Sequence, residues 1–137
     1  MNVLYPVFVM FALTFFVQIQ LGMKRVAAVS GGRIDPKYYR AYQGADEPED
    51  LQIYSRHLIN LYEAPVLFYV IVIIASVTGQ AGTLPILLAW LYSLLRLAHS
   101  YVHLGSNKVL LRFRLFLASL LVLAALWGTV LIGMLMR

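Results

Sequence analysis

The sequence predicts an all-α integral membrane protein of four helices, and three observations carry that prediction. Of its 137 residues, 61% are hydrophobic and 12% are charged, against about 25% charged in an ordinary soluble domain. Four apolar runs come close to, or pass, the roughly 20 residues that cross a bilayer. The basic residues gather in the connections between those runs, where they act as orientation signals. The net charge of +5 therefore does not point to nucleic acid. Cysteine is absent, which excludes disulfides, thiolate metal sites and a cysteine nucleophile. With no internal repeat and no low-complexity tract, residues 1–137 read as a single four-helix transmembrane domain.

The first helix is predicted over residues 3–23, with Pro6 in its opening turn, where a proline is tolerated. Gln18 and Gln20 are its polar interruptions. The run lacks a basic start and a small-residue cleavage site, so it reads as a retained helix rather than a signal peptide. The second helix is predicted over residues 53–78, the third over 84–104 with Pro85 near its start, and the fourth over 110–136. The first connection, residues 24–51, is the long one. It holds Lys24, Arg25, Arg33, Lys37 and Arg40, then an acidic patch of Asp46, Glu47, Glu49 and Asp50. Ser30-Gly31-Gly32 and Asp35-Pro36 are turn signals within it. The second connection, residues 79–83, is short and uncharged; the third, residues 105–108, leads into Arg112 and Arg114. The positive-inside rule places connections one and three in the cytoplasm and both termini on the opposite side, with Arg137 alone opposing.

The polar residues inside these runs are the candidate site. Arg56, Asn60 and Glu63 stand at i, i+4 and i+7 and share one face of the second helix, just ahead of Pro65. A carboxylate at membrane depth is costly and is a functional-site hypothesis by default. Glu63 lies about 18 Å along a helix from Leu51, and Arg96 about 13 Å from Gly105, at 1.5 Å per residue. The two depths allow a meeting, so Glu63 and Arg96 are expected to share one internal polar site. Pro65 adds an acceptor nearby by freeing the carbonyl of Leu61. On the third helix, Arg96, His99 and His103 form a second stripe at i, i+3 and i+7 that rises toward Lys108, Arg112 and Arg114. Together these make a cation-rich pocket with one carboxylate, suited to a small anion that also carries an ammonium.

Each residue also has a plainer role. The plainer role of Glu63 and Arg96 is a structural ion pair between two helices, which ranks behind the functional one because ionisable pairs buried in membranes are mostly functional. Arg56 is placed to snorkel to the interface, and Arg112 and Arg114 to act as positive-inside anchors. His57, about 100° around the helix from Arg56, reads as interfacial. His99 and His103 have the i, i+4 spacing of zinc helices, but no third ligand is evident, so no metal site is expected. Tyr5, Tyr54, Trp90, Tyr92 and Trp127 read as belt or packing residues.

On these residues the chain resembles the MAPEG family, the membrane-associated proteins in eicosanoid and glutathione metabolism. The pieces that match are Arg56-x-x-x-Asn60-x-x-Glu63-x-Pro65, Arg96-x-x-His99, Gly105 and the basic start of the fourth helix at Arg112. The four-helix layout with one long first loop also agrees. The resemblance implies a left-handed four-helix bundle assembled as a homotrimer, with glutathione, or another small thiol, bound between subunits on the cytoplasmic side. Carried over by position, Arg56, Asn60 and Glu63 would bind glutathione from one subunit, and Arg96 and Arg112 would complete the site. Arg25 is a weaker candidate, and His99 and His103 border the same place. Arg112 would hold the thiolate and is the candidate catalytic residue. His103 stands where characterised eukaryotic members place a tyrosine, with Tyr101 nearby, and Phe113 stands where some members have a serine. The compact loops resemble a bacterial branch related to microsomal glutathione transferases, which implies a bacterial inner membrane. The expected function is a glutathione-dependent transferase or peroxidase acting on small lipophilic electrophiles that enter from the bilayer. The rival readings are a non-catalytic membrane scaffold or ligand-binding protein, and a proton-coupled carrier using Glu63 and His99, which four helices without a repeat make the weakest.

Overall fold

The computed structural model describes residues 2–44 and 46–136. Met1, Ala45 and Arg137, the last being the residue that opposed the charge-based orientation, lie outside the described residues. The described residues form five helices: α1 (Tyr5–Ser30), the single-turn α2 (Tyr38–Ala41), α3 (Glu49–Val77), α4 (Thr83–Leu104) and α5 (Val109–Leu135).

Two helices differ clearly from the sequence prediction. α1 runs to Ser30 rather than residue 23, and α3 starts at Glu49 rather than residue 53. Lys24 and Arg25 are therefore helical, and the first connection shortens to residues 31–48. The cause is that an apolar run marks where lipid ends, whereas a helix ends where its backbone is broken. Lys24-Arg25-Val26-Ala27-Ala28 contains no breaker. The break comes at Gly31-Gly32, where Gly32 takes φ +71°, open to glycine at no steric cost. At α3, Pro48 precedes the first turn, and Glu49 and Asp50 there favour the helix dipole. The boundaries of α4 and α5 differ from prediction by one residue where they differ at all.

Inside, Met10 and Val17 of α1 meet Leu61, Phe68, Ile71 and Val72 of α3, Ala89 and Tyr92 of α4, and Leu123, Leu126 and Val130 of α5. Phe68 stacks on Tyr92 with ring centroids 4.5 Å apart. α4 packs most extensively on α5; α1 packs on α3 and α4, and α3 touches all three. The outside is equally apolar: Phe8, Phe11, Phe15, Leu121, Leu131 and Ile132 are exposed. A surface this greasy suits lipid rather than water.

Three helices, α1, α3 and α5, are long and apolar enough to cross a membrane. α4 falls short of that apolarity because it carries the stripe of Arg96, His99 and His103, all buried. It hides polar groups among the other helices rather than showing them to lipid.

Candidate functional site

α3, α4 and α5 line an open pocket of about 380 Å³. Arg56, Asn60 and Glu63 line it from α3, His99 and His103 from α4, and Arg112 from α5. Ile59, Phe113 and Phe116 supply much of its apolar wall. The i, i+4, i+7 spacing thus delivers one face of α3 to one cavity. Arg56 and Glu63 are exposed in the single chain, while Asn60 and Arg112 are half-buried.

Arg96 lies behind this pocket at 0% exposure. Its Nη2 donates to the Asn60 carbonyl at 3.0 Å and to Asn60 Oδ1 at 2.6 Å. Its Nε and Nη1 are buried with no hydrogen-bond partner. The Phe116 ring lies 5.7 Å from the guanidinium carbon. The direct Glu63–Arg96 pair expected from the depth estimate is absent: Asn60, about one turn before Glu63, takes the guanidinium, and Glu63 stays exposed within electrostatic reach. With hydrogen bonds only to neutral oxygens and the Glu63 carboxylate acting from a distance, the guanidinium is only partly compensated, which is costly in a low-dielectric interior. Arg112 is fixed at the rim by its Nη1, which donates to Asn107 Oδ1 at 2.7 Å. Asn107 can present that oxygen because it turns the loop at φ +48°, a conformation asparagine tolerates.

His57 is the residue that sequence reasoning misplaced. Expected at the interface, it is fully buried and joins the α4 histidines. Its Nε2 lies 2.9 Å from Ser100 Oγ and its Nδ1 lies 3.1 Å from His103 Nδ1. The signal was available in the sequence. His57, Leu61, Ala64 and Phe68 follow spacings of four, three and four, and all four are buried. The 100° that separates His57 from Arg56 turns it inward. Imidazole ligand atoms from His57, His99 and His103 come within 4.8 Å of one another.

Arg25 sits elsewhere in the chain. Its Nε donates to Glu47 Oε1 at 2.9 Å and its Nη2 to Ser55 Oγ at 3.1 Å. Ser55 and Tyr39 also donate to Glu47, at 2.7 and 3.0 Å. Burial pushes the Glu47 carboxyl up, but these donors, with the Arg25 charge, outweigh it and hold the group below its ordinary value. Burial, reinforced by Glu47, pushes the Tyr39 hydroxyl up to about 12.

Chemically, the pocket offers fixed cations, one free carboxylate and an apolar wall. That set can grip a zwitterionic ligand with several carboxylates and hold a developing anion beside Arg112. Compared with known proteins, the model of the MAPEG family matches residues 3–132. No curated protein and no solved structure matches the chain.

Proposed function

Because this chain belongs to the MAPEG family, we propose that it is a membrane transferase or peroxidase that uses glutathione, or another small thiol, against small lipophilic electrophiles. The observation that carries this reading is Arg96: a buried guanidinium with two nitrogen positions unused, set behind a pocket that already holds Arg56, Asn60, Glu63 and Arg112. The residues fit a tripeptide thiol in charge and size. Two carboxylates have arginine partners, an ammonium has Glu63, and the pocket falls within the roughly 300–1,000 Å³ of small-molecule sites.

In this reading Arg56 and Asn60 hold the ligand, Glu63 takes its amino group, and Arg96 supplies charge from behind. Arg112 faces the sulfur and favours the thiolate, because an adjacent positive charge lowers a thiol pKa. The electrophile enters from lipid along the wall of Ile59, Phe113 and Phe116. The long helices form a left-handed bundle, and three chains assemble so that a neighbour covers the open pocket. Arg25, engaged by Glu47 in its own protomer, joins the site only across such a boundary. Residues 31–48 and 105–108 face the cytoplasm of a bacterial inner membrane, since Arg33, Lys37, Arg40 and Lys108 lie there.

Glutathione titrated into the purified oligomer, with thiolate absorbance followed in the ultraviolet, tests the assignment. Saturable binding with thiolate formation, and conjugation of a lipophilic electrophile, is the expected result. The runner-up, a ligand-binding protein without turnover, has one observation in its favour: His103 occupies the expected tyrosine position, and Tyr101 is 85% exposed on another face, so it cannot substitute. Binding without thiolate would select that reading, and no binding would remove both.

A further inference from the structure

We propose that His57, His99 and His103 form a binding site for a divalent transition metal, of zinc or cobalt type, at the floor of the pocket. The proposal does not depend on thiol chemistry.

The hydroxyl of Ser100 donates to the Arg96 carbonyl at 2.9 Å. Its oxygen is then an acceptor, so the His57 Nε2 facing it at 2.9 Å carries the proton. His57 Nδ1 is therefore the bare nitrogen, and it points at His103 Nδ1 from 3.1 Å. This is the outer-shell arrangement that prepares a histidine for a metal: one ring nitrogen donates outward, which fixes the tautomer and aims the other inward. Two nitrogens held by one tetrahedral ion with bonds of about 2.0–2.1 Å stand roughly 3.3 Å apart. The His57–His103 spacing is already within a few tenths of an ångström of that.

The third ligand is His99, 2% exposed, with its Nδ1 buried and without a partner. The hydrogen-bonding capacity it leaves unused is what a metal would take up. Its ring centroid lies 5.5 Å from that of His103 and 5.7 Å from that of His57. Candidate ligand atoms of all three lie within 4.8 Å, so a side-chain rotation of about 1–2 Å closes the set around an ion with ordinary bond lengths. Imidazole donors without thiolate select zinc, copper, nickel, cobalt or iron over magnesium and calcium.

The electrostatics define what else must be present. Arg96 and Arg112 act on all three rings, and the ring set itself contains no carboxylate. A dication there calls for an anion in its fourth position. His99 and His103 also line the pocket, so that position opens where a hydroxide or another anionic ligand has room.

The full-length oligomer, purified without a polyhistidine tag and stripped of metal, is titrated with Co²⁺ while the visible absorption of the ion is recorded. One ion per chain with the strong spectrum of a four-coordinate N-ligated site is expected, displaced by Zn²⁺. His103→Gln and His57→Gln are each expected to weaken Co²⁺ affinity at least tenfold, while Asp50→Asn, in the exposed pair with Arg33 away from the pocket, leaves it within threefold. Absence of stoichiometric Co²⁺ and Zn²⁺ binding by the wild-type oligomer overturns the proposal, however the variants fold. Equal binding by wild type and by folded His57→Gln overturns it too, placing the ion elsewhere.

Discussion

Two arginines of this chain reach inward and are settled in opposite ways. Arg25 meets a carboxylate, Glu47, whose oxygens also accept from Ser55 and Tyr39. Its charge is matched, and the cluster ties α1, the first loop and α3 together. Arg96 is more deeply buried and has only the two neutral oxygens of Asn60. No carboxylate pairs with it directly, Glu63 acting only from a distance, and two of its nitrogens have no hydrogen-bond partner. A matched charge explains itself as structure. An unmatched one at depth is a destabilising feature, and retaining it makes sense where a ligand supplies the missing anion.

Substitutions can break or sharpen that contrast. The largest effect is expected at the proposed thiolate position: Arg112→Ala should cut conjugation turnover roughly 10²-fold, the usual loss for one preorganised charge donor, while thiol affinity changes little. Single-turnover kinetics with a thiolate ultraviolet readout check it, and wild-type turnover would return Arg112 to a topological anchor. Arg96→Leu comes next. It should weaken thiol binding by about tenfold or more yet leave detergent stability unchanged or improved, because an apolar residue replaces an unpaired buried charge. A loss of stability with unchanged binding would make Arg96 a structural residue after all.

Glu47→Gln should do the reverse, lowering stability by about 2 kcal/mol and leaving thiol binding untouched; the figure sits below that for a fully buried pair because the Arg25 side chain is 30% exposed. The same carboxylate gives a pH signature. Its folded pKa lies below the ordinary 4.5, so its contribution is full above that value and is lost as pH falls through the folded one. Denaturation midpoints measured between pH 7 and pH 3 should fall less steeply in Glu47→Gln. At the small end, Asp50→Asn removes a pair with Arg33 in which both side chains are about half exposed, at 51% and 52%, and no measurable shift in melting is expected.

The parts of the molecule that were legible in the sequence were those written as periodicity. Arg56, Asn60 and Glu63 announced a shared face, and the structure gives them one pocket; Arg96, His99 and His103 announced one for α4, and all three are buried, His99 and His103 at the pocket and Arg96 behind it. Pairing across helices was not legible. Depth counting sent Arg96 to Glu63, when a difference of about one turn, beyond the accuracy of a residue count, gives it to Asn60. His57 was read from its neighbour Arg56 rather than from the stripe through Leu61, Ala64 and Phe68 to which it belongs. The ends of α1 and α3 were missed because hydropathy marks the lipid boundary and not the backbone's own stop signals.

Those extra turns change how the chain meets its bilayer. At 1.5 Å per residue α1 and α3 measure about 39 and 44 Å, for 26 and 29 residues, against a hydrocarbon layer of about 30 Å. Even tilted by the common 20° or so, both overshoot it by several ångströms. The overshoot is where Lys24 lies over the Tyr54 ring and Arg25 grips Glu47. These contacts cross-brace the ends of α1 and α3 in the length that exceeds an acyl layer. A membrane that thickens or thins by a few ångströms would then meet helix length held in place by these contacts rather than free helix ends.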